Sequence, residues 1–109
     1  MLPRVLRLPG RMVGRVSQKG KKINLPSFYI KYLMTSGRSF RTSIVVSKKV
    51  DNRATQRNLI KRRVAHIIRE FIPNIHFSAD VVISIKAVKT FEEYKKELEQ
   101  WLIKLLSQP

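Results

Sequence analysis

The sequence predicts an α+β sandwich in which helices pack on a small mixed β-sheet. Three patterns carry that expectation. Aromatic and β-branched residues alternate over residues 27–34, 41–47 and 79–86; apolar residues recur at helical spacing from Ile60 and again from Tyr94; and a strand, a long helix and another strand follow in order, which implies a parallel pair. At 109 residues the chain reads as one domain, residues 1–109, able to hide roughly 65% of the surface its unfolded form exposes. It contains no cysteine, so packing alone must hold it, without disulfides or thiolate metal sites, and a reducing compartment is permitted. No stretch approaches the roughly 20 apolar residues of a membrane span.

The elements follow in order. Residues 1–18 are Arg-rich and acid-free, with Arg4, Arg7, Arg11 and Arg15 at helical spacing, the composition of a transit peptide. Pro3, Pro9, Gly10 and Gly14 oppose one continuous amphipathic helix, so a short helix over residues 11–17, ended by Gly20, is expected. There is room for a short strand near residues 21–25. In the next run Phe28, Ile30 and Tyr32 alternate with Tyr29, Lys31 and Leu33, and Thr35, Ser36 and Gly37 supply a turn. Residues 41–47 then set Ile44 and Val46 against Ser43, Val45 and Ser47, and a hairpin is the simplest connection to the preceding strand.

Ile60, Val64, Ile67, Ile68 and Phe71 form one apolar helical stripe, which Pro73 ends. About half a turn away lie Asn58, Arg62, Ala65 and Arg69, with Arg57 and Lys61 on the flank, so the helix presents a basic strip whose back is fixed by packing. Asn52 or Thr55 caps its start, leaving free N–H groups and a positive dipole end near Lys48 and Lys49, a favourable place for a phosphate. After a polar break at Asn74, Val81, Ile83 and Ile85 alternate inward in a further strand. Thr90 and Glu93 form a capping-box pattern opening a helix whose apolar side carries Tyr94, Leu98, Trp101, Leu102 and Leu105. Trp101 falls within that stripe and is read as core, not as a stacking platform.

Charge is the loudest signal. The net charge is +16, but residues 1–69 hold 18 of the 23 Lys and Arg residues and a single acid, Asp51. That half carries +17 and residues 70–109 carry −1. Such one-sided self-repulsion points to a polyanionic partner that gains affinity by counterion release. A nuclease site of its own needs clustered carboxylates or a positioned acid and base, and the basic half offers only Asp51, beside a helix start where capping or charge balance explains it. His66 and His76 lack the acidic or Cys neighbours of a metal site, and there is no Walker loop or Gly-rich dinucleotide motif.

Several segments together resemble the bacterial ribonuclease P protein family over nearly the whole length: MLPRVLRL, FYIKYL, Ser47-Lys48-Lys49-Val50 and Arg57-Asn58-Leu59-Ile60-Lys61-Arg62. The resemblance implies an α-β-β-β-α-β-α order with a left-handed strand-helix-strand crossover, an exception to the usual hand. It also implies two partners, ribonuclease P RNA and precursor tRNA, with no membrane and no small-molecule substrate. The RNA subunit would use Mg2+ to hydrolyse the phosphodiester bond that frees the mature tRNA 5′ end. The protein would supply no catalytic group and hold no Mg2+ with its side chains alone, and the location would be cytoplasmic. By position, Lys48, Lys49, Arg53, Arg57, Asn58, Lys61, Arg62 and Arg69 would contact the catalytic RNA, and Tyr29, Lys31, Ser43, Val45 and Ser47 would line the cleft for the 5′ leader.

Three departures stand out. Leu59 replaces the motif's usual second arginine and Ala65 another common basic residue; the connection before Arg57 is one residue longer, with Asp51 where glycine is frequent; and Val13 and Ser17 stand where phenylalanines commonly face the leader. The main alternative is a double-stranded RNA-binding domain, which shares the order helix, three strands, basic helix but would end near residue 73. A basic ribosomal protein would share the charge without needing a cleft.

Overall fold

A computed structural model describes residues 7–35, 40–71, 75 and 78–106. The expectations resting on Pro3, Arg4, the Ser36 and Gly37 turn, Pro73, Asn74 and His76 lie outside the described residues. The elements are α1 (Gly10–Lys19), β1 (Lys21–Asn24), β2 (Phe28–Met34), β3 (Arg41–Val46), α2 (Ala54–Phe71), β4 (Ala79–Ile85) and α3 (Phe91–Leu106). The fold is the expected α+β class, with a four-stranded mixed sheet in the order β1-β2-β4-β3.

That order corrects the hairpin expected between β2 and β3. β4 lies between them, antiparallel to β2 and parallel to β3. Burial supplies the reason: six of the seven β4 residues are buried, on both faces, whereas β3 is half open. A strand apolar on both sides is best placed at the centre of a sheet, and the more polar strand at an edge. A double-stranded RNA-binding module ending near residue 73 is excluded by the same fact, because β4 is the interior strand that joins β2 to β3.

Strand alternation sends Phe28, Ile30, Tyr32, Val81, Ile83 and Ile85 into the main core with Ile60, Val64, Ile67 and Ile68 of α2 and the apolar stripe of α3. Trp101 is 3% exposed and meets Tyr32 edge-on, a packing role. The opposite face carries a smaller cluster, Leu8, Val16 and Val82, joined by Met12, Val13 and Leu33, so α1 covers one end of that face. Gly20 closes α1 by donating its N–H to the Val16 carbonyl at 2.8 Å. A Cβ there would come within 2.8 Å of the Tyr32 carbonyl oxygen, so this close approach of α1 to the sheet requires glycine.

Polar contacts lock the scaffold. Asp80, 2% exposed, accepts two hydrogen bonds of 3.0 Å from the Arg41 guanidinium across β4 and β3. Glu97 of α3 accepts the Ser27 N–H at 2.8 Å and its hydroxyl as well, fixing α3 to the start of β2. The capping box forms as expected: Glu93 N–H donates to Thr90 Oγ1 at 3.2 Å and Thr90 N–H to Glu93 Oε1 at 3.3 Å.

At α2, two expectations are corrected. The helix start is organised by Asp51 and not by Asn52 or Thr55: Asp51 Oδ1 accepts the Arg53 N–H at 2.9 Å, and the Arg53 carbonyl accepts the Arg57 N–H at 3.0 Å. A short Asx turn thereby places Arg53 at the cap position. Ala65, expected on the basic strip, is 5% exposed and belongs to the main core. It lies on the flank of α2 beside the edge strand β3, where it lines one cavity with Thr42, Ile44 and Leu8.

Candidate nucleic-acid interface

Two basic surfaces emerge, one on each side of the edge strand β3. The first runs along α2. With Ile60, Val64, Ile67 and Ile68 pinned in the core, Asn58, Arg62 and Arg69 are left exposed on the outer side, while Arg57 and Lys61 sit half-buried on the flank. No acidic residue occupies the first turn of α2, so its positive dipole end is uncompensated from within the helix. Just ahead, the Val50 N–H donates to the Ser47 carbonyl at 3.1 Å, and the turn so formed pushes Lys48 and Lys49 into solvent at its two central positions.

Lys48, Lys49, Asp51 and Arg53 line one shallow depression beside this helix start. Arg53 is not a bare cation: its guanidinium grips the Asp51 carboxylate through Nε at 3.1 Å and Nη2 at 2.9 Å. Those hydrogen bonds, with the Arg53 backbone N–H and the charge of Arg57, hold the Asp51 carboxyl below its ordinary value. The same contacts raise Arg53. Arg57 Nη1 donates to the Asp51 carbonyl at 3.1 Å, leaving the rest of its guanidinium free for an outside acceptor. Asp51 therefore organises the basic turn.

The second surface is the sheet face left open beside α1. Register aligns Tyr29, Ser84 and Val45 in one row and Lys31, Val82 and Ser43 in the next, so four of the expected cleft residues share one face although β4 separates their strands. Ser47 lies exposed one residue past the end of β3. Lys31 Nζ stands 5.3 Å from the centroid of the Tyr29 ring, a cation–π contact that keeps both side chains on the open face.

Sequence reasoning missed three further groups here. β1 extends the rows with Lys22 beside Lys31 and Asn24 beside Tyr29, and Lys86, directly after β4, donates to Asn24 Oδ1 at 3.1 Å. The signal was the alternation of Lys22 and Asn24 with Ile23, which becomes informative only once β1 is known to pair with β2. Val13 packs into the smaller cluster beneath α1 and Ser17 is half-buried on the same helix, so the face carries no aromatic from α1.

Among the described residues no three His, Asp or Glu side chains come together where they could hold a metal ion. His66 pairs instead with Glu70 at 3.0 Å along the helix, and Lys95 approaches the same carboxylate at 3.8 Å. A lone carboxylate whose oxygens already meet an imidazole and an ammonium does not suit Mg2+, which takes an octahedron of oxygens. No described helix is long and apolar enough to cross a membrane.

The sequence profile of the family described as Ribonuclease P matches residues 10–106, from the start of α1 to the end of α3. The chain belongs to the ribonuclease P protein family. A ribonuclease P protein component from Picosynechococcus sp. is 30% identical over 91 residues, covering 81% of this chain and 78% of the relative. Another from Lactococcus lactis subsp. lactis is 40% identical over 77 residues, covering 69% of this chain and 65% of the relative. The solved structure of the Staphylococcus aureus RNase P protein superposes with a TM-score of 0.81 at 23% identity, covering 92% of this chain and 94% of the other, a likeness of fold. In this chain the motif carried by Arg57, Asn58, Lys61 and Arg62 thus lies on the exposed and flanking sides of a helix whose back is buried.

Proposed function

We propose that this protein grips ribonuclease P RNA with the α2 strip and the Lys48-Lys49 turn, and holds the 5′ leader of precursor tRNA on the open sheet face, in a cytoplasmic ribonucleoprotein. The RNA subunit, with Mg2+, then hydrolyses the phosphodiester bond that frees the mature 5′ end. The observation that carries this reading is the α2 strip itself. Arg62 and Arg69 stand exposed on a helix that cannot turn away because Val64, Ile67 and Ile68 are fully buried beneath it. Cations held at fixed spacing neutralise phosphates without first being ordered, which a flexible basic tail cannot do.

Each group has a role under this reading. Arg57, Lys61, Arg62 and Arg69 meet phosphates of the catalytic RNA, Asn58 adds a neutral donor and acceptor, and Lys48 and Lys49 meet a strand passing the helix start. Arg53, tied to Asp51, shapes that approach. On the sheet face Lys31, Lys22 and Lys86 neutralise leader phosphates, Tyr29 offers an aromatic face to a base, and Ser43, Val45 and Ser47 form the opposite wall.

The test compares precursor tRNA cleavage in Mg2+ at physiological salt by the protein, by its cognate RNA, and by both. Cleavage is expected from the mixture and not from the protein alone. Cleavage by a demonstrably RNA-free protein, or no gain on adding protein to the RNA, would overturn the reading.

A further inference from the structure

A cavity of about 200 Å³ opens where the two basic surfaces meet, between the β3 edge, the segment preceding α1, and α2. Its walls are apolar, formed by Leu8, Ile44 and Ala65, and its rim carries two cations, Arg7 from the N-terminal segment and Lys61 from α2. Thr42 also lines it. This residue shares the β3 face of Ile44, toward α2, and is 2% exposed. Its hydroxyl has no hydrogen-bond partner among the described residues. That oxygen is also sealed from solvent, so it lies behind the cavity wall and is not offered to an occupant.

The surrounding backbone is open as well. The Thr42 carbonyl accepts the Leu8 N–H at 3.0 Å, so it points to the outer edge of β3. Alternation places the Ile44 N–H and carbonyl on the same edge, beside the cavity. An occupant would therefore find apolar walls, one backbone donor and acceptor, and a cation on either side.

We infer that this cavity receives a single unstacked nucleobase of the RNA that α2 binds, with Arg7 and Lys61 meeting the phosphates that flank it. The inference rests on the RNA-binding reading above and adds to it a base-specific contact. A planar base fits the apolar walls and has edge donors and acceptors for the Ile44 backbone, and its chain enters and leaves as phosphates. The volume is below the roughly 300 Å³ at which pockets begin to enclose drug-sized ligands, which favours a base-sized group. Continuity with the α2 strip through Lys61 supplies the RNA.

Two variants and one titration test this. Ala65→Met fills the cavity without removing charge, and Thr42→Val alters only the sealed hydroxyl and serves as the control. Ala65→Met is expected to weaken binding of ribonuclease P RNA roughly tenfold, the effect of losing one stacked base, with an unchanged salt slope, since every cation that meets a phosphate is still in place; Thr42→Val is expected to leave the affinity unchanged. Thr42→Val should also raise the Tm of the free protein by roughly 4 °C, because a buried unpartnered hydroxyl is gone.

Titrating the free full-length protein with adenosine or uridine 5′-monophosphate should shift the methyl NMR signals of Thr42, Ile44 and Leu8, and inorganic phosphate should not. Wild-type RNA affinity in Ala65→Met, or equal methyl shifts with phosphate alone, would overturn the cavity assignment and leave the function proposed above intact. If the wild type fails to bind ribonuclease P RNA, that function falls, and the mononucleotide titration alone decides the cavity.

Discussion

Asp80 and Asp51 show how the same residue type serves two different ends in this chain. Asp80 is buried and its two oxygens are matched to Arg41, whose side chain is 16% exposed. Asp80→Ala would leave that guanidinium without its partner in a poorly solvated place and should lower the unfolding free energy by about 3 kcal/mol, read by urea denaturation. A loss too small to detect would mean that Arg41 simply swings into solvent. Asp51 is half-buried beneath Arg53, whose hydrogen bonds lower its carboxyl pKa from 3.8. Its folded form thus binds protons less readily than its unfolded form. The stabilisation is present above the ordinary value and disappears as pH falls through the lowered one, so the basic turn should loosen only in strong acid. The Arg53 amide NMR shift should hold steady from neutral pH down to the ordinary aspartate value of 3.8 and move toward its random-coil value only below it. Movement near neutrality would contradict the Asp51 contact.

At the level of elements, facing was legible in the sequence and neighbourhood was not. Period-2 alternation correctly divided β2 into Phe28, Ile30 and Tyr32 on one face and Tyr29, Lys31 and Leu33 on the other. Helical spacing likewise identified the buried backs of α2 and α3, and Thr90 and Glu93 announced the start of α3. Alternation says nothing about which strands lie side by side. The insertion of β4 between β2 and β3, and with it the joining of Lys31 to Ser43 through Val82, had to come from the structure. Ala65 was misplaced for a related reason: an angular wheel does not show that the edge of β3 reaches round to that flank. The sheet face makes a separable prediction. Lys31→Ala should weaken binding of precursor tRNA to the reconstituted complex more than binding of mature tRNA, since only the precursor carries a leader. Equal losses in a competition assay would remove Lys31 from the leader path.

Over the whole molecule, charge and scaffold are segregated along the chain and then folded against each other. Residues 1–69 carry +17 and residues 70–109 carry −1. The second part nevertheless contributes β4, one of the two interior strands, and α3, which packs into the main core with α2. Repulsion within the basic part is thus borne by a nearly neutral core, and the cations are presented on rigid elements. The central claim is that the outer side of α2 is where the catalytic RNA is held, and its most direct test is the salt dependence of binding. Ribonuclease P RNA affinity is measured across a range of salt for the wild type and for Arg62→Gln combined with Arg69→Gln, both at exposed positions that leave the core untouched. The slope of log affinity against log salt should become shallower by about two units, one for each phosphate no longer neutralised, with the Tm unchanged. An unchanged slope would place the RNA elsewhere on the protein and contradict the account.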